Sequence, residues 1–197
     1  MHVPLNIQGI IFEDYQCHDN GQIYSLKNNI FLKQWLCGDH RQKSSVSHSK
    51  KHYFFVSNAM GWSWENHGIQ QSPLVRHNDF KLGVGRHKLS IDHIDRDSLN
   101  NNLSNLRICT DIEQSMNSSS SKKSSSEFKG VSSHGSNRRK PYYARFEGLG
   151  VSWHGSYETE EEAAAAYNAR AKRALLEKYG PKLGRQLIDE MFLFNTI

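Results

Sequence analysis

Nine consecutive residues near the middle of the chain, Ser118 to Ser126 (SSSSKKSSS), carry no apolar side chain. Such a stretch has nothing to bury and cannot join a packed core, so it reads as a tether that divides the chain. As a coil it spans roughly 15–18 Å, and at full stretch about 30 Å. What lies on either side must then fold as modules with small cores, since the whole chain has 197 residues and a mean hydropathy of −0.71. No run approaches the roughly 20 apolar residues of a membrane span. The start, Met1-His2-Val3-Pro4-Leu5, lacks the basic-then-apolar order of a signal peptide, so the expectation is a soluble, intracellular, cytoplasmic protein. Cys17, Cys37 and Cys109 are odd in number and form no C-x-x-C pair, which supports neither a disulfide framework nor a structural zinc site.

Ahead of the tether, Ile91 to Thr110 reads IDHIDRDSLNNNLSNLRICT. An apolar strand end delivers Asp92-His93 into a turn-rich loop that closes on Asn105-Leu106-Arg107. Phosphodiester hydrolysis needs a base to activate water and a cation to hold the scissile phosphate, and a metal can be that cation. His93 suits the first role, because a neutral imidazole titrates close to working pH. Alternation along a strand puts Asp92 and His93 on opposite faces, so the carboxylate can hold a metal while the imidazole faces water, provided the strand end twists. Asn105, across the loop, can fix the orientation and tautomer of His93. Asp-His pairs also arise by chance and an Asn-rich loop is ordinary turn chemistry, so from the residues alone both readings stand.

The order Ile91-Asp92-His93-Ile94, Leu99-Asn100-Asn101 and Asn105-Leu106-Arg107 resembles the HNH endonuclease family. The resemblance implies two strands and a helix around one divalent metal. It also implies His93 as general base, Asp92 as metal ligand and Asn105 as support of the histidine. The family's closing ligand, Asn or His, falls on Gln114 here. Gln offers the same carbonyl oxygen on a longer stem, and Mg²⁺ accepts that donor while tolerating displaced geometry poorly. Asn117, one helical turn on, is a neighbour that can substitute. The implied cofactor is a divalent metal, Mg²⁺ first and Mn²⁺ second, with no structural zinc.

Charge is uneven: the net is +5 with a pI near 9.1, and between Phe128 and Tyr157 Lys129, Arg138, Arg139, Lys140 and Arg145 face the single acid Glu147. A concentrated basic stretch is the usual footprint of a phosphate-backbone binder, although a solvated basic surface looks the same. Lys122 and Lys123 in the tether can also touch phosphate. Phe128 to Val131, Tyr142 to Phe146 and Val151 to Gly155 are short β-prone runs, which predicts a three-stranded antiparallel sheet. A helix follows from about Glu160 to Tyr179, opened by a Thr159/Glu162 capping box and stopped at Gly180-Pro181. Ala163, Ala164, Tyr167, Ala171 and Ala174 recur at helical spacing, small enough for close packing on the sheet.

FKGVSSHGSNRRKPYYARF and VSWHGSYETEEEAAAAYNARA together resemble the APETALA-two/ethylene-response-factor (ERF) DNA-binding domain. There the sheet lies in the major groove. The candidates this implies are Arg138, Arg139, Arg145 and Trp153, with Lys129 and Lys140 at the backbone; Trp153 can equally be core. Ser132-Ser133-His134 stands where the plant pattern has arginines, which puts that base preference in doubt.

The first ninety residues are less informative. Asn20-Gly21 reads as a hairpin turn, Lys51 to Val56 as a strand, and Trp62 and Trp64 as a small core. His40, His48, His52, His67, His77 and His87 lack metal-ligand spacing and read as structural or surface; the alternative for His77 or His87 is a place near the Asp92-His93 centre. Leu183, Leu187, Met191 and Phe194 line one side of a last short helix.

The expected class is α+β: a ββα-metal HNH nuclease module tethered to a three-stranded antiparallel sheet packed on one α-helix. The expected divisions are 1–84, a strand-rich region; 85–117, the nuclease module; 118–126, the linker; 127–180, the ERF-type domain; and 181–197, a terminal helix. Two functions compete. One is a homing-type endonuclease acting on double-stranded DNA; the other is a sequence-specific DNA-binding protein with a degenerate centre, marked by Gln114.

Overall fold

Alternation of buried Val3, Leu5 and Ile7 with outward residues makes His2–Ile7 a half-buried strand, β1, which pairs antiparallel with β2 (Ile10–His18). The structure is a computed structural model that describes residues 1–38, 41–48, 50–78, 89–118, 124–135, 138–192 and 194–196. His40, His87, Lys122 and Lys123 lie outside the described residues, as do the side chains of His48 and His77. The chain divides into two compact units, Met1–Gln114 and Ser115–Ile197.

In the first unit, β2 turns at Asn20-Gly21 into β3 (Ile23–Ser25), and β4 (Ile30–Phe31) completes a sheet of order β1-β2-β3-β4. A second antiparallel sheet holds β5 (Trp35–Leu36), β6 (Gln42–His48) and β7 (Lys50–Phe55). At Val56 the chain leaves β7 directly for helix α1 (Val56–Trp64), which has no side-chain N-cap. Burial holds it instead: Val56, Ala59, Met60 and Trp64 are all 2% exposed or less. Full burial of a valine or methionine side chain contributes roughly 1.5–3 kcal/mol.

Then come β8 (Gln70–Gln71), α2 (Pro73–Asn78), β9 (Leu89–His93), a 3₁₀ turn (Leu103–Asn105), β10 (Leu106–Thr110) and α3 (Asp111–Asn117). The sheet has order β8-β10-β9, with β9 antiparallel and β8 parallel to β10. Leu89, Leu106 and Ile108 share one core with Val3, Leu5, Met60 and Trp64, so the N-terminal strands and β9–β10 are packed together. Of the described N-terminal histidines, His52 packs edge-on against Phe12 and His67 is exposed.

A capping box starts α3. The Thr110 hydroxyl accepts from Glu113 N (3.3 Å) and the Glu113 carboxylate accepts from Thr110 N (3.0 Å). The same fully buried carboxylate accepts from Ser72 Oγ and Leu74 N, tying the start of α2 to the start of α3.

In the second unit β11 (Val131–Ser133), β12 (Tyr142–Gly148) and β13 (Val151–Tyr157) form an antiparallel sheet in that order. Helix α4 (Glu160–Glu190) opens with the Thr159/Glu162 capping box and is interrupted by non-helical backbone at Gly180, next to Pro181. Val131, Ala144 and Phe146 bury against Ala163, Ala164, Tyr167 and Ala171. Leu187 and Met191 are buried beyond the interruption, and Phe194 packs against the sheet core.

Gly130 lies directly against the Tyr167 ring of α4. Its φ is +72°, and a Cβ there would lie 2.2 Å from Cε2 of Tyr167. Gly130→Ala is therefore expected to destabilise this unit by roughly 1–3 kcal/mol, read as a lower thermal midpoint. No helix of the described residues is long and apolar enough to cross a membrane.

Candidate active site

The loop from β9 to β10 is built by its own side chains. Asp95 accepts from Asp97 N (2.8 Å), Asn100 Nδ2 (2.7 Å) and Asn105 Nδ2 (2.8 Å). Burial works to raise the Asp95 carboxyl, but the bonds from Asn100, Asp97 N–H and Asn105, with His93 nearby, outweigh it and hold it below the ordinary range. Asn105 also accepts from Asp95 N (3.0 Å) and donates to the Asn100 carbonyl (2.8 Å). Its amide thus closes the loop on itself, and its backbone carbonyl accepts from Ile94 N (2.8 Å), the residue after His93.

His93 ends β9, an edge strand, opposite Leu106. Its Nε2 lies 3.1 Å from Oδ1 of Asn101, a residue 5% exposed. Asn101 was not singled out for any role in the sequence, although it stands in the Leu99-Asn100-Asn101 string that carries the resemblance. Its Nδ2 donates to Gln42 Oε1 (2.8 Å) and, at 3.4 Å, to the Leu99 carbonyl. An amide oxygen only accepts, so the contact as it stands is the one that the Nε2–H tautomer of His93 makes.

Asp92 faces away from His93, as strand alternation requires, and lies beside Arg107 across the ladder. Arg107 donates to Asp92 Oδ2 from Nε (3.0 Å) and Nη2 (2.7 Å), and both side chains are buried. The pairing of Asp92 with Arg107 had no place in the sequence reading, though Arg107 closes the Asn-Leu-Arg string. Gln114 is exposed on α3 and lines a cavity of about 330 Å³ with Arg41, Asn58, Trp62, Leu89, Ser90 and Ile91. Ser90 and Ile91 are the two residues before Asp92. Asn117, the alternative ligand, is buried.

Asp92 offers a carboxylate oxygen and Gln114 an amide oxygen, both donor types that a hard divalent cation accepts, but Asp92 does not line the cavity that Gln114 lines. Among the described residues no three His, Cys, Asp or Glu side chains gather to hold a metal. Arg41 on the cavity wall places its guanidinium 3.8 Å from the Phe55 ring centroid. That stack fixes a cation on the wall of the cavity that Gln114 also lines, and no spacing in the sequence points to it.

In the second unit the basic residues are distributed as follows. Arg138, Arg139 and Lys140 are exposed, with Arg139 3.9 Å from Glu158. Arg145 stands outward on β12 opposite His154 and bonds Glu147 on its own strand. Trp153 pairs with Phe146 and packs against the core, so it is on the helix side of the sheet rather than the outer face implied for it. The Lys129 ammonium donates to the Ser115 (2.7 Å) and Met116 (3.0 Å) carbonyls and lies over the Phe192 ring, and burial pulls its pKa down to about 8. The outward face instead carries His134, Tyr143 and His154, with Tyr143 and His154 stacked at 5.6 Å.

This strand–loop–strand–helix geometry coincides with a sequence match. Residues 84–116 match the HNH endonuclease family model. A solved structure titled "DNA binding and cleavage by the HNH homing endonuclease I-HmuI" is similar at 23% identity and a TM-score of 0.35; the match covers 52% of this chain and 49% of that one. The chain thus spans about half the length of that protein. No curated protein resembles the chain in sequence.

Proposed function

We propose that this protein is a metal-dependent, homing-type DNA endonuclease with a C-terminal ERF-type domain that binds double-stranded DNA. The observation that carries the reading is the setting of His93 inside the HNH stretch. Asn101 Oδ1 lies 3.1 Å from Nε2, so a proton held on that nitrogen makes Nδ1 the basic one. His93 takes a proton from water through Nδ1 as the water oxygen bonds to phosphorus. The opposite P–O bond then breaks, and its oxygen leaves to be protonated by solvent. A divalent cation, Mg²⁺ or Mn²⁺, held by Asp92 and Gln114 would neutralise charge on the phosphate and the leaving oxygen. Asn105 acts by bracing the loop that carries Asn101.

Supercoiled plasmid incubated with the protein and Mg²⁺ or Mn²⁺ is expected to relax by nicking, and a chelator is expected to stop it. Persistence of nicking in the chelator would remove the cation from the account. The engagement of Asp92 by Arg107 favours the second reading, a DNA-binding protein with a degenerate centre; intact plasmid under both metals, with DNA binding retained, would establish it.

In the C-terminal domain the proposed DNA contacts are Arg138, Arg139, Arg145 and Lys140, with Lys129 and Trp153 holding the domain together. Alanine at Arg138, Arg139 and Lys140 together is expected to weaken DNA binding and to flatten its log–log salt slope by about 0.9 per lost phosphate contact. An unchanged slope would place the phosphate contacts elsewhere.

A further inference from the structure

Asn101 is the junction at which the N-terminal strands reach the catalytic histidine. Gln42, first residue of β6, accepts from Asn101 Nδ2 at 2.8 Å. The turn after β2 supports it from behind: a Cβ on Gly21 would lie 2.8 Å from both Cβ and the carbonyl oxygen of Asn101. That turn is held in its turn, since Gln34 donates to the Gly21 carbonyl (2.7 Å) and Leu103 N donates to the Asp19 carbonyl (2.7 Å).

A side-chain amide can face either way, and which end meets His93 decides where the imidazole proton sits. The acceptors at Gln42 Oε1 and the Leu99 carbonyl draw the Nδ2 end toward themselves. The Oδ1 end is then left for His93 Nε2. We infer that Gln42 is a positioning residue for the nuclease reaction: its carbonyl oxygen sets the orientation of the Asn101 amide, and so keeps His93 in the Nε2–H tautomer with Nδ1 as the base. This rests on the endonuclease reading for its consequence, but the tautomer is measurable without activity. It also gives the N-terminal sheets a part in the chemistry, through a residue 51 positions before His93 (93 − 42).

The test uses the full chain with ¹⁵N-labelled histidine, recorded well above histidine's ordinary titration range, with His93 assigned from its absence in His93→Gln. Wild type and Gln42→Glu, which keeps an acceptor, are expected to show the Nε2–H pattern. Gln42→Lys offers only donors, so the Asn101 amide is expected to turn and His93 to move toward the Nδ1–H form. Gln42→Leu should give a mixture, and it decides the matter if the lysine variant does not fold. Alongside, kcat for plasmid nicking is expected to fall about 10–100-fold in Gln42→Lys with KM and melting temperature near wild type, and to be retained in Gln42→Glu. A wild-type tautomer in Gln42→Leu, and in Gln42→Lys where that variant folds, would overturn the inference. Failure of the wild type itself to nick DNA would overturn the endonuclease reading while the tautomer result still stands.

Discussion

Replacing His93 with alanine is expected to lower the rate of strand cleavage by about 10²–10⁴-fold, the usual contribution of a positioned general base. The loss should fall on kcat, because the imidazole acts when the proton leaves water and not when DNA binds. Fold and DNA affinity should be retained: His93 lies at the end of an edge strand, half-buried, and the loop beyond it is cross-braced by Asp95, Asn100 and Asn105. Single-turnover cleavage alongside filter binding separates the two quantities. A fall in affinity with an unchanged cleavage rate would assign His93 to DNA contact instead.

Replacing Arg107 with methionine is expected to cost about 3–5 kcal/mol of stability, the range found when one partner of a buried ion pair is removed. Asp92 and Arg107 are 7% and 6% exposed, so the stranded carboxylate cannot recover its hydration by moving outward. The double variant Asp92→Leu, Arg107→Met should regain much of that loss, because a buried pair is often matched by apolar groups of similar volume. It should also lack cleavage, having lost the carboxylate. Thermal denaturation of the two variants and wild type checks both parts. Equal stability of Arg107→Met and wild type would show that the pair contributes little to the fold.

Part of this structure is legible in the sequence. The strand ending at Asp92-His93, the alternation that sends the two side chains to opposite faces, the Asn20-Gly21 turn and the Thr159/Glu162 capping box are local, and local chemistry decides them. The second and third C-terminal strands and the break at Gly180 are local too; the first begins at Val131, where the expected run Phe128 to Val131 ends, because Phe128 to Gly130 form a turn with Gly130 at φ +72°. Helix α1 is not: VSNAMGWSW has a β-branched start, an internal glycine and no side-chain cap, and it is helical because Met60 and Trp64 find a core supplied by distant strands. The Thr110-x-x-Glu113 box was readable, but its second task, holding Ser72 and Leu74, required the fold.

The site follows the same division. Residue types within Ile91 to Thr110 mark the proposed base and a carboxylate, whereas the partners of those groups come from pairing and packing. Arg107 meets Asp92 through strand register, and Gln42 meets Asn101 through tertiary contact. Trp153 shows the reverse limit. A family pattern can place it on a recognition face, but the parity of β13 turns it inward beside Phe146.

The central claim is that Nδ1 of His93 is the base of a DNA-cutting centre. The most direct measurement is nicking of supercoiled plasmid in Mg²⁺ by wild type and His93→Ala at equal concentration and equal melting temperature. The account predicts open-circular product from wild type and, over the same time course, about a hundredth of it or less from the variant. Equal nicking by both proteins, or none by wild type in either Mg²⁺ or Mn²⁺, would contradict it.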